Sequence, residues 1–583
     1  VNAAGKAFKD RTSNKMIDGP EGDYPVRVAP CSIPALMLEP IQRPLLRAPR
    51  PSAVEWAAAT VGVCLVYRYR WILDDSCVYF RYVDNLLFLR RGLVYNVGEY
   101  VEGYSSPAWV LLLVAMRATR LDFWSITLAF GVGSFCAFAY ACVVINRKLM
   151  STRTAPALDL PLVYIATSYA VTSYFTSGSE CALVHLAAAG IALYCLEPQT
   201  RWLEVALGAL PLVRNELALP LFATGLVGWQ ATRRVPWRLV ASAGVCGAGW
   251  LVFRVVYYAD LFPSPFYLKD EVSPLRGLYY VVNTFGPEHF LFFVAPALAA
   301  GALAARGGRE ALRLPPRVRM VAVALSAIPY VVKVGGDMMH YRLLALPFCL
   351  LALSLGGLLE SGLASPAARA PRWAGNALCA LAGAGYFAFY PGFLSSHPVL
   401  RREERELDHG ISDAPWHRHH PTLTFDAPRW AEDRARLAEY RRWGGTHEGV
   451  SSDVFCGAIY VDFRTRYVHG YGLTEPVLAR VDAPEARPGH KEPLRRLARD
   501  LVQIRRVLPE THPGVAATAI ARGIAPPWVI ANASSIALVE SRMYNSHGFF
   551  TNLASALHPI ARMRLPSEAR ISDNAPSGSP VAR

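Results

Sequence analysis

The stretch PAWVLLLVAMRA at 107–118 decides how the chain is threaded. Read as a helix at about 1.5 Å per residue, it reaches roughly 18 Å, whereas a hydrocarbon core of about 30 Å takes about 20 residues to cross. It is too short to span straight. The basic residues answer independently. If 107–118 crossed, Arg147, Lys148 and Arg153 would face outside and every later basic loop would be inverted. Laid along the membrane surface, it leaves Arg147/Lys148/Arg153, Arg201, Arg233/Arg234/Arg238, Arg306/Arg309/Arg313/Arg317/Arg319 and Arg369/Arg372 all on the cytoplasmic side. Working outward, the apolar stretches 52–70, 123–145, 157–175, 179–196, 202–213, 216–231, 237–257, 289–305, 319–334, 343–363 and 374–392 then make eleven spans, with the N-terminus inside and the C-terminus outside.

Composition agrees. Of 583 residues, 53% are apolar and only 18% charged, against roughly a quarter charged in an average soluble protein, and the mean hydropathy is +0.22. That excludes a disordered chain and argues against a wholly soluble one. A formal charge of +15 would invite a nucleic-acid reading in a soluble protein. Here almost the whole excess falls on the inner loops and the segment 1–51, so it is a topology signal and no nucleic-acid partner is expected. The eleven cysteines are scattered without a CxxC pair, which suggests neither a disulfide framework nor a zinc site.

The expected organisation is a cytoplasmic tail (1–51), a transmembrane region (52–392), an extracytoplasmic soluble domain (393–565) and a disordered tail (566–583). In the soluble domain, RWAEDRARLAEYRRW (429–443) reads as polar helix and DVFCGAIYVDFRTRYV (453–468) as strand. The fold class is therefore a polytopic α-helical membrane protein with a C-terminal mixed α/β domain.

The loops placed outside carry the unusual polar clusters. Asp74-Asp75 follows the first span directly. Adjacent carboxylates at a membrane exit are costly to desolvate and can act as base or cation ligand; capping the next helix is the competing reading. Thr176-Ser177-Gly178-Ser179-Glu180 joins two spans at the same face, and on its own reads as a polar turn starting a helix. Arg214-Asn215-Glu216 breaks two short apolar segments, either as a site facing a cavity or as a structural ion pair. Arg254, Tyr257, Tyr258, Asp260, Tyr267 and Lys269 combine aromatics with cations, which suits a phosphate on a lipid or a sugar, although tyrosines also serve as interface anchors. Lys333 precedes GGDMMHYR (335–342), where Asp337, His340 and Arg342 can hold a phosphate or a metal bridging to one. No metal-ligand set is assigned. His417, His419 and His420 lack a partner acid or cysteine pattern and read as a solvated stretch, and Cys456 as a core residue.

These clusters, in order, resemble those of a known group. DDSCVYFRYVDNLLFLRRGLVYNVGEYVEGYSSPAW (74–109) looks like the first outer loop of GT-C fold glycosyltransferases similar to the actinobacterial terminal β-arabinofuranosyltransferases. TSGSE (176–180), RNE (214–216), YYADLFPSPFYLK (257–269), GGDMMHYRLLALP (335–347), YGLTEPVLAR (471–480) and RPGHKEP (487–493) follow that group's motifs. Asn215 stands for the group's Pro, Ser264-Pro265 for its Asn-Thr, Val97 for its Pro, and Lys491-Glu492 inverts its Glu-Lys.

The resemblance implies inverting transfer of a sugar, arabinofuranose in that group, from a polyprenyl-phosphate donor to a hydroxyl of a cell-envelope glycan, at the outer face of the plasma membrane. The base is expected at Asp74 or Asp75, with Asp74 favoured as closer to the span. Lys269, His340, Arg342, Arg214 and Arg254 are the candidates to collect the phosphate charge. Glu180, Glu216, Asp337, Tyr258 and Asp260 would bind sugar or acceptor, or position those cations. The helix at 107–118 and Tyr257, Tyr258 and Tyr267 would admit the prenyl chain. Rival readings are a flippase of a lipid-linked sugar, which would call for midplane polar residues and inverted repeats, and a non-catalytic glycan-binding scaffold.

Overall fold

The computed structural model describes residues 50–150, 159–269, 272–285, 314–356, 425–426, 450–451, 466–483, 485–487, 490–491, 493–508, 514–544 and 549–565. The expected spans at 289–305 and 374–392, the helix at 429–443, the three histidines, Cys456 and both tails fall outside them, apart from residues 50 and 51.

The described chain is mostly helical. Ser52 and Glu55 form a reciprocal capping box that starts the helix Ala53–Arg68, satisfying two orphan amide donors. Phe123–Leu149 starts at an Asp122 cap and ends on Arg147 and Lys148, which suit the negative end of the helix dipole. It and Trp237–Tyr258 are long and apolar enough to cross a membrane. Shorter apolar helices include Cys181–Leu196, Ala218–Thr232 and Ala345–Ser354. The 107–118 stretch forms the helix Pro107–Arg117, buried along Trp109, Val110 and Leu113 and exposed at Leu111.

The 157–175 stretch holds two helices, Leu160–Thr167 and Tyr169–Tyr174, divided by extended backbone at Ser168. The Thr167 hydroxyl donates to the Val163 carbonyl and the Thr172 hydroxyl to that of Ser168, the local hydrogen bonding with which hydroxyl residues compete against a continuous helix.

The main core runs through Phe135, Phe138, Ile165, Val171, Ile191, Met320, Val323 and Phe348. A second core joins Leu494, Leu501, Ala519, Trp528 and Val539 to Leu268 from the 257–269 loop. The strands are two or three residues long, and Arg466–Tyr467 pairs with Val450–Ser451 in parallel. Cys77 is disulfide-bonded, and the other described cysteines are free. The scattered spacing gave no hint of this bond.

Candidate active site

Segments far apart in sequence meet around a cavity of about 440 Å³ lined by the polar side chains of Asp75, Tyr79, Ser105, Arg214, Asn215, Glu216, Lys269, Lys333 and Arg342, and by the apolar Leu219, Pro265, Phe266, Val272, Val334, Leu343 and Leu473.

Asp75 stands in the first turn of the helix Asp74–Leu87, whose N-cap is Leu73. Tyr79 lies one turn on, hence on the same face. The 176–180 turn holds this helix start: the Leu73 amide and the Ser76 hydroxyl both donate to the Ser177 carbonyl, at 2.9 and 3.0 Å. Gly178 has φ +74°, and a Cβ there would meet Ser76. Glycine is thus required by conformation and by close approach. On the far side Gly335 and Gly336 have φ +78° and +76°, and a Cβ on Gly336 would lie 2.4 Å from the Tyr280 ring. These two glycines let the 334–342 loop fold over the helix Pro274–Phe285.

Arg342 is the hub. Its guanidinium donates to Asp75 at 3.0 Å and to Glu180 at 3.4 Å, and lies 3.9 Å from Asp337. Arg214 pairs with Glu216 at 2.5 Å, lies 3.7 Å from Glu180, and donates to the Arg342 carbonyl at 3.1 Å. Asp337 also lies 3.8 Å from Lys269 and accepts from the Met338 amide. Burial would raise the Asp337 pKa, but Lys269, Arg342 and Arg214 outweigh it and hold it at about 2. For Arg342, burial works against the charge, and Glu180, Asp337 and Asp75 hold its pKa well above the ordinary arginine value. Burial lifts the Tyr79 hydroxyl far above the usual phenol range, so it is a proton donor, and it donates to Glu180 at 3.3 Å.

Asp75 keeps about a quarter of its side chain exposed (26%), against 5% for Arg342. It is the most exposed carboxylate of this network among the described residues, ahead of Glu216 at 16%. Glu180 and Asp337 are sealed, so they orient the arginines. Lys269 is 41% exposed, and Lys333, also exposed, makes no ion pair among the described residues. A cavity lined by the accessible Asp75 carboxylate and by the exposed amines of Lys269 and Lys333 can remove a proton and bind a phosphate.

Among the expected residues, then, Asp75, Arg214, Glu216, Lys269 and Arg342 share one cavity, with Glu180 and Asp337 behind them. His340 belongs to the same loop but does not line it; its carbonyl accepts from Tyr174 at 3.1 Å. Asp74 opens the helix beside Asp75. Arg254, Tyr258 and Asp260 sit elsewhere. Arg254 pairs with Glu102, Tyr258 hydrogen-bonds Tyr104 and the Leu93 carbonyl, and Asp260 pairs with Arg480 and Arg542 and accepts from Tyr267. Glu102, Tyr258 and Asp260 border a void of only about 20 Å³, room for about one water. Sequence reasoning missed Tyr79, whose signal was the helical spacing from Asp75, and noted Lys333 beside the glycine pair without giving it a role. Leu473 lies within the YGLTEPVLAR motif, but nothing in the sequence brings it to Asp75, nearly four hundred residues away.

Over 348 residues this chain is 32% identical to the terminal beta-(1->2)-arabinofuranosyltransferase of Mycobacterium tuberculosis, covering 51% of this chain and 54% of that protein. Over 345 residues it is 29% identical to the protein of the same name from Corynebacterium glutamicum, covering 50% of this chain and 49% of that one. The chain thus spans about half the length of the curated relatives it matches, and it is similar to actinobacterial arabinofuranosyltransferases. No family model matches the chain, and no solved structure does.

Proposed function

We propose that the chain is a membrane glycosyltransferase of the GT-C class that moves arabinofuranose from a polyprenyl-phosphate donor to a hydroxyl of a cell-envelope glycan on the extracytoplasmic side. The observation that carries this is one cavity lined together by Asp75, Lys269, Lys333 and Arg342 and by apolar side chains. In the reaction, the acceptor oxygen bonds the anomeric carbon, its proton passes to the Asp75 carboxylate, and the bond from that carbon to the phosphate oxygen breaks. The lipid leaves as a phosphate monoester, whose charge Lys269 and Lys333 receive with Arg214 and Arg342 behind them. Leu219, Phe266, Val272 and Val334 form the wall along which the prenyl chain lies. A single displacement of this kind inverts the anomeric centre. The Cys77 disulfide, two residues from Asp75, supports placing this face outside the cytoplasm, since structural disulfides persist in oxidising compartments.

The test is purified protein in nanodiscs, given polyprenyl-phosphate arabinofuranose and an arabinan oligosaccharide. Transfer is expected, with the product's anomeric configuration inverted by NMR, and Asp75→Asn should lower kcat by about 10²- to 10⁴-fold, the usual weight of a general base. Full activity in Asp75→Asn, Asp74→Asn and the double variant would remove the base assignment. Retention would replace single displacement with a two-step route.

A further inference from the structure

The helix Phe549–Leu557 turns large apolar side chains outward. Its inward side carries Asn552 and Ala556, both buried, while Phe550 and Leu557 are 82% and 61% exposed. Ala554 is exposed between them, so the outward stripe repeats at spacings of four and three residues, one helix face.

The attitude of this helix is fixed at two points. The Asn552 amide donates at 2.8 Å to the carbonyl of Val256, one of the last-turn carbonyls of Trp237–Tyr258 that lack a helical partner. Arg542 donates to the Ser555 and His558 carbonyls at the other end. The apolar stripe is therefore held out by polar contacts behind it. It also continues an established apolar surface. Trp237–Tyr258 is only 17% buried over its most apolar window, and Leu251, Val252 and Val256 are exposed on its final turns, at the end where Asn552 attaches.

We infer that Phe549–Leu557 is an interfacial helix that lays Phe550, Ala554 and Leu557 into the bilayer beside the end of Trp237–Tyr258, tying the C-terminal part of the chain to the membrane surface. The occupant of the stripe is lipid: the surface it prolongs is that of a membrane-length helix, and a nine-residue helix of roughly 14 Å lies along an interface without crossing it. The inference rests on the membrane reading of the chain and not on the transfer reaction.

The test is nitroxide labelling of Phe550→Cys and, separately, Leu557→Cys in the full chain, with Cys64, Cys136 and Cys246 changed to serine. The protein is held in nanodiscs of phosphatidylethanolamine and phosphatidylglycerol, and the spectrum of the parent without the added cysteine is subtracted. Collision of the label with oxygen is expected to exceed collision with a water-soluble nickel chelate at both positions. The reverse ratio at both would place the stripe in water and overturn the proposal. Dipolar broadening between labels, with oxygen access low, would identify a second copy as the occupant and overturn it as well. No turnover is read, so the outcome is independent of whether the cavity transfers a sugar.

Discussion

Tyr341 has φ +70° and ψ −38°, and the Arg342 amide donates to the His340 carbonyl at 2.8 Å. This is the γ-turn of positive φ, the rarer and strained form, one residue before the guanidinium that joins Asp75, Glu180 and Asp337. Strain of this kind persists only where its surroundings over-determine it. Here the Tyr341 hydroxyl meets His185 Nε2 at 2.8 Å, and its ring packs edge-on against Phe348. Tyr280 donates to the Met339 carbonyl at 2.6 Å and accepts from the Leu343 amide at 3.2 Å. Tyr341→Phe would leave His185 Nε2 buried without its partner and loosen the approach of Arg342. The expected result is a kcat about tenfold lower, since small misplacements at a reacting centre are costly. Tyr341→Gly should melt above Tyr341→Ala by the equivalent of about 1 kcal/mol, because glycine alone takes this backbone without strain. Thermal denaturation of the two variants decides it. His469 gives a second residue-scale prediction. Burial lowers its pKa to about 4, against a smaller raising effect of Asp75, so the unfolded chain, near 6.5, binds its proton first. Stability from this group is complete above about pH 6.5 and is lost as pH falls toward 4, by up to about 1.4 kcal/mol per pH unit. His469→Gln should flatten the melting temperature against pH over that window; an unchanged slope would assign it to other groups.

At the scale of elements, Lys333 is placed by two helices that nearly touch. A Cβ added to Gly277, in Pro274–Phe285, would lie 2.2 Å from the Val332 carbonyl oxygen, so the backbone of Pro316–Lys333 passes directly over it. Pro329 inside that helix has no amide to offer the preceding turn. Gly277→Ala must therefore push the last turn of this helix outward and take Lys333 with it. The donor KM is expected to rise several-fold, with a lower melting temperature, while Gly244→Ala, on a surface with nothing within 4 Å, should leave KM unchanged. Elements with a strong hydropathy signal were legible: the helix Pro107–Arg117 follows from an apolar run that ends on Arg117. The break at Ser168 was not, because no charge, glycine or proline marks it in the sequence. In the same way Asp75 and Arg342 could each be singled out by residue type, but that they are 3.0 Å apart depends on packing between loops 267 residues apart.

Across the whole molecule, the loop that begins with Asp74-Asp75 is held by the C-terminal part of the chain. The Asn96 side chain imitates a strand partner, donating to the Tyr467 carbonyl at 2.9 Å and accepting its amide at 3.0 Å. The Tyr100 amide donates to the Met543 carbonyl at 2.7 Å, and the Ser264 hydroxyl to that of Gly472. Beside them the buried Glu99 pairs with the largely buried Arg466. Burial acts to raise the Glu99 pKa, yet Arg466 and Arg505 bring it below the ordinary value, so the pair is charged and Glu99 depends on its partner. Removing one member of a buried pair costs about 3–5 kcal/mol because the other charge is stranded, whereas replacing both is far milder. Arg466→Met alone should therefore destabilise the protein more than Arg466→Met with Glu99→Gln, a sign that two independent surface residues would not give. If the clamp sets the position of Asp75 through the 74–109 loop, the single variant should also lose kcat while the double variant recovers part of it. Chemical denaturation and turnover on the parent, Arg466→Met, Glu99→Gln and the double variant measure both couplings. Additive stability losses would mean that Glu99 and Arg466 act separately and that the loop is held by its backbone contacts alone.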